Sequence, residues 1–132
     1  MIHWRMRNLP AAQRLQREVA TRLAQLLGDK HGQTALARAR LCEYLLGGGT
    51  AIAEAQRNCA QAEAVQRTGP LNTRQAAWFS GLRLAQTHIA LGTPAVAESI
   101  FTQLRPALDT LPREAPARKL LDSLTSVAGR PR

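Results

Sequence analysis

Residues 84–104, LAQTHIALGTPAVAESIFTQL, decide how the whole chain is read. Two apolar stretches of helical period flank Gly92-Thr93-Pro94, a stop followed by a start. Gly92 breaks the first helix, Thr93 stands where a cap belongs, and Pro94 suits the opening turn of the next. Ala85 and Ala97 fall where two helices folded back at that hinge would cross. Side chains that small let the helix backbones come together. The stretch therefore reads as a helical hairpin.

The same reading extends along the 132 residues. Ala12, Leu15, Val19, Leu23 and Leu26 recur every three or four positions, which predicts a helix from about Pro10 to Leu27, stopped by Gly28. A second helix is expected from about Thr34 to Leu46, ended by the glycines at 47–49. Thr50 is placed to cap a third, which runs to Gln66 with Glu54 near its positive end. RTGPLN at 67–72 is turn-like, and a fourth helix follows from about Thr73 to Leu91. The fifth runs from Pro94 to about Leu111, and the last from Pro116 to about Val127, with Leu120, Leu121, Leu124 and Val127 inward. Valine, isoleucine and tyrosine are sparse, and no stretch alternates like a half-buried strand. The expectation is an all-α domain of about six antiparallel helices at 9–128, with a basic arm at 1–8 and a tail at 129–132.

The net charge is +9, and Lys30 and Lys119 are the only lysines. Dispersed arginines favour an acidic or anionic partner without selecting its class. Arg5, Arg7, Arg14, Arg17 and Arg22, with Trp4 for stacking, are the strongest candidates for nucleic acid. Arg14, Arg17 and Arg22 do not all share one narrow helical face, however, and Glu18 interrupts them. No run approaches the length of a membrane span, and no apolar core of a secretory signal follows MIHWRMRNLP. A cytoplasmic location follows by elimination. Cys42 and Cys59 match no metal motif and are too few for a disulfide framework, so they read as two small thiols in a reducing compartment.

Catalytic patterns are missing from the sequence. His3, His31 and His88 lie on different elements, and Glu43, Glu54, Glu63 and Glu98 form no paired-carboxylate spacing. Ser80 lacks a nucleophile elbow, and LLGGGT follows a helix and has no phosphate-loop lysine. The reading is a protein that binds rather than catalyses, with neither cofactor nor metal.

Shifting the chain by 44 residues places Tyr44 on His88, Gly48 on Gly92, Ala53 on Ala97, Glu54 on Glu98 and Ala60 on Leu104. A hairpin repeated at fixed spacing points to an α-solenoid. The second copy, with Leu84, Ala85, His88, Gly92, Ala97, Phe101 and Leu104, resembles the tetratricopeptide repeat over 78–111. The first, over 34–66, follows more loosely: Arg57 stands at a large apolar position. In the second, Gly81 replaces a usual tryptophan and Asp109 the closing proline.

The resemblance implies a right-handed stack whose concave face takes Ala35, Arg38, Cys42, Leu45 and Leu46 from the second helix. The fourth helix would add Phe79, Leu82, Gln86, Ile89 and Ala90. It further implies a protein-interaction adaptor or chaperone that buries the apolar side of a partner helix while rim arginines select an acidic flank. A closed helical bundle is the alternative fold, an arginine-mediated nucleic-acid-binding domain the alternative function, and a homodimer a third use of the same face.

Overall fold

A computed structural model describes residues 8–128; the tail at 129–132 and residues 1–7 of the arm, with Trp4, Arg5 and Arg7, lie outside them. Among the described residues the fold is all-α, with six helices: α1 (Leu9–Leu27), α2 (Gly32–Gly48), α3 (Ile52–Gln66), α4 (Leu71–Ala90), α5 (Pro94–Leu108) and α6 (Pro116–Ala128).

The helices begin and end for identifiable reasons. Pro10 lies in the first turn of α1, where a missing N–H is harmless. His31 opens α2 by accepting the Gln33 N–H on Nδ1 at 3.1 Å. Gly49, at φ +71°, closes α2 with its N–H on the carbonyls of Leu45 and Leu46. Two expected caps are not made. α3 starts from Ala51 in the left-handed region without a side-chain cap, so Thr50 does not serve there. Thr93 turns its hydroxyl back to α4 instead, donating to the His88 carbonyl at 3.1 Å and lying 2.9 Å from His88 Nδ1. The His88 carbonyl thus accepts from both the Thr93 hydroxyl and the Thr93 backbone N–H, the latter at 2.8 Å. α5 stops at Leu108, three residues early, after Pro106 has removed a donor from its last turn.

Helices adjacent in the chain pack on one another, and α2 also touches α4, and α4 touches α6. Among the described residues, α1, α3 and α5 do not pack on one another, although the Arg17 side chain of α1 reaches Glu54 of α3, and α1 does not pack on α4, α5 or α6. α1 lies along α2, with Gln13 and Gln16 donating from their side chains to the carbonyls of Tyr44 and Ala37 at 2.9 and 3.0 Å. Resting on one helix buries a strip narrower than the apolar face of α1. Leu15 and Leu26, expected inward, are 61% and 74% exposed, and Val19 is uncovered beside them.

The core falls into two clusters. Leu82, Ala85, Ala97, Phe101, Leu108, Ala117, Leu121 and Leu124 join α4, α5 and α6, flanked by Trp78, Phe79, Ile89, Ile100 and Leu104. Leu41, Cys42, Leu45, Ala55 and Cys59 form a smaller one between α2 and α3. The inward positions of α3 are Ala55, Cys59, Ala62 and Gln66; those of α5 are Ala97, Phe101, Leu104 and Leu108, at identical spacing. Their separation is 42 residues, not 44. Ala53, Arg57 and Ala60, which the sequence overlay placed inward, are exposed.

On the first helices of the hairpins the inward pattern Ala37, Leu41, Cys42, Leu45 recurs as Ser80, Leu84, Ala85, His88, a separation of 43. The overlay anchored on the turn glycines and thereby slipped by one residue before the turn and two after it. Corrected, Cys42 matches Ala85, and Cys59 matches Phe101. Those two cysteines are not free thiols: they form a disulfide between α2 and α3, with Cα atoms 5.6 Å apart. Gly81 faces the Leu104 side chain of α5 and leaves little room between them. A Cβ there would sit 3.3 Å from Leu104 Cδ1.

Candidate functional site

One hollow joins three elements and carries both apolar and charged walls. α2 contributes Leu36, Ala39, Arg40 and Glu43, and α4 contributes Ala76, Phe79, Ser80 and Arg83. Cys59 and Gln66 of α3 form the floor. The two walls use the same spacing, first residue then three, four and seven on, which places each set on one face of its helix. No residue of α1 borders the hollow. Its volume is about 230 Å³. Small-molecule sites typically span roughly 300–1,000 Å³, so this space suits one or two anchoring side chains rather than a cofactor.

The floor is rigid. The disulfide fixes α3 against α2. Ser80 donates its buried hydroxyl to Gln66 Oε1 at 2.6 Å, which ties the end of α3 to α4. Ser80 thus has a structural hydrogen bond of the kind buried hydroxyls require. Arg83 donates from Nη1 to Gln86 Oε1 at 3.0 Å, while its Nε is buried and has no acceptor among the described residues. Among the described residues, no ion pair engages Arg40, Glu43 or Arg83.

Of the residues expected on the concave face, the hollow takes Phe79 alone. Cys42, Leu45 and Leu82 are core residues, Cys42 within the disulfide, and Ala35 is fully buried too. Leu46 packs against the α2–α3 cluster and Ile89 against the α4–α6 cluster. Gln86 is half-buried and holds Arg83 in place. Arg38 is turned to a different furrow, shared with α1 and α3, and donates from Nη2 to Asp29 Oδ1 at 2.7 Å.

The face of α2 turned to the hollow lies about one residue round from the expected one, because the most apolar stripe is not the one that lines it. That stripe faces the core instead, and the next one, Leu36, Arg40 and Glu43, faces the hollow. The spacing shared by the two walls was the signal available in the sequence.

Two other surface features bear on function. A hollow of about 530 Å³ lies beside the 64–73 turn, lined by Val65, Gly69, Pro70 and Thr73, with Lys30 as its one charged wall residue. It has no convergent set of acids, bases or donors. Along α1, Arg14, Arg17 and Arg22 do border one furrow, with Glu18 in its wall. Arg17 is committed there, donating from Nε and Nη2 to Glu54 at 2.8 Å each. That pairing engages one of the five arginines expected to meet a phosphate backbone, of which Arg14, Arg17 and Arg22 lie within the described residues.

Among the described residues no helix is long and apolar enough to cross a membrane, and no group of three or more His, Cys, Asp or Glu side chains is placed to hold a metal. No family model, curated protein or solved structure matches this chain.

Proposed function

We propose that this chain is a non-catalytic docking module of tetratricopeptide type, an adaptor or chaperone that seats a partner protein's helix or peptide between α2 and α4. The observation that carries the reading is the hollow itself. Its walls offer Leu36, 47% exposed, and Phe79 beside unpaired arginines, and α1 lies elsewhere. An open apolar strip with charged edges is the surface a helical or extended guest covers. The stacked architecture draws support from the one-sided second-neighbour contacts, α2 on α4 and α4 on α6. A closed bundle would instead bring α1 back against the later helices.

The buried disulfide supports maturation in an oxidising compartment, because thiols inside cells are kept reduced. That location takes the place of the cytoplasmic expectation in this reading. Alkylation of the protein as isolated from its source, before any air oxidation, distinguishes the two: two modified thiols would restore the cytoplasmic location.

Docking is tested by photocrosslinking in the source cell from a reactive side chain placed at position 36, with the same group at position 15 on α1 as control. A discrete partner trapped from 36, lost on Phe79→Asp with helicity unchanged, is the expected result. Equal trapping from both positions, or none from 36, overturns the reading.

A further inference from the structure

We propose that the hollow contains an anion subsite, in which a carboxylate side chain of the docked partner accepts hydrogen bonds from the Arg83 guanidinium, with Arg40 as the second cation. The proposal rests on the docking reading above and specifies its anchor. Arg17, Arg38 and Arg67 have carboxylate partners, and Arg118 donates to the Leu111 carbonyl at 2.8 Å. Arg83 differs from all of them. Gln86 holds its guanidinium from one end, and its buried Nε–H meets no acceptor among the described residues.

Buried polar groups are nearly always paired, and a charged donor left without a partner is the least tolerable kind. A guanidinium has a planar fork of donors that matches a carboxylate's two oxygens. The acid already in the wall, Glu43, is exposed and pairs with neither arginine, so among the described residues no carboxylate engages the Arg83 guanidinium. Leu36 and Phe79 beside it offer apolar surface for the methylenes of an acidic side chain. The hollow's volume fits such an anchor, and two arginines against one glutamate leave it positive. An acidic residue of the partner complements all three properties.

The test uses the intact protein and a probe that needs no knowledge of the partner. Arginine Nε–Hε signals are followed by nuclear magnetic resonance while propionate, which mimics a glutamate side chain, or neutral propionamide is added. The Arg83 signal is expected to shift saturably with propionate, and about tenfold more weakly with propionamide. Arg14 on α1 should follow ionic strength alone. Arg83→Lys keeps the charge but not the fork, and should abolish the saturable response read at Arg40. Glu43→Gln, which removes the rival acid, should strengthen it.

Equal responses to the two probes, or a propionate shift shared by Arg14, overturns the subsite. Crosslinking that succeeds from position 36 with no propionate response overturns the subsite alone. A propionate response without crosslinking supports the anion site and overturns the docking reading.

Discussion

The two hairpins bury the same positions and close them by different chemistry. In α4–α5 the frame is filled by Phe101, fully buried among Leu82, Ala85, Ala97 and Leu108. In α2–α3 the matching site holds Cys59, in a cluster of five buried residues with Leu41, Cys42, Leu45 and Ala55. A cluster that small has little apolar area to remove from water. The Cys42–Cys59 bond compensates by restricting the unfolded chain, which an aromatic ring does not do. One geometric frame therefore tolerates two sources of stability, one from burial and one from cross-linking.

The largest break in that comparison is expected from Phe101→Ala. Emptying a fully buried aromatic site costs about 3–5 kcal/mol, read as a lower urea midpoint. Persistence of the midpoint within error would mean that the α4–α6 cluster is not the one holding the fold. Reduction of the disulfide comes next. It closes a loop whose ends are 17 residues apart, for which chain entropy predicts about 3 kcal/mol. Unfolding curves with and without reductant measure it, and coincident curves would contradict the role assigned to the bond.

A smaller change sharpens the comparison by exporting one solution to the other hairpin. Cys42→Ala with Cys59→Phe reproduces the Ala85 and Phe101 pair in the first frame. Burial of the ring offsets part of the ~3 kcal/mol that goes with the cross-link, so stability should lie within about 3 kcal/mol of the oxidised parent and be indifferent to reductant. Collapse of the fold would show that the two frames are not equivalent.

The smallest effect belongs to the Arg17–Glu54 pair, which joins α1 to α3 at the surface. Hydrogen bonding from Arg17 holds the Glu54 carboxyl below its ordinary range; partial burial opposes this, and the charges of Arg17 and Arg57 add to it. The folded pKa is thus lower than the unfolded value of about 4.3. Its stabilisation is complete above that value and is lost as pH falls through the folded pKa. With Arg17 nearly half exposed, Glu54→Gln should cost less than about 1 kcal/mol near neutrality. The variant should also lose less stability than the parent on acidification. A steeper acid loss in the variant would reverse the sign assigned here.

Much of this was legible from residue order. Pro10, Gly28, the glycines at 47–49 and Gly92-Thr93-Pro94 act locally on backbone angles and hydrogen bonds, so the helices fall within a few residues of their expected bounds. The candidate site was less legible. Phe79 was found, whereas Leu36, Arg40, Glu43 and Arg83 were not, because periodicity locates an apolar stripe without saying which neighbour it meets. α1 shows the same limit: its stripe through Leu15 and Leu26 is plain in the sequence, yet most of it faces outward.

Residue order by itself determined the all-α class, the number of helices and the hinge at each turn, since these depend on contacts within about four residues along the chain. Tertiary structure alone decided the pairing of Cys42 with Cys59, the register of the two hairpins and the burial of Arg83 Nε. Each of those depends on how one helix is rotated against another. A rotation of one residue, about 100°, exchanges core for surface while leaving every local preference satisfied.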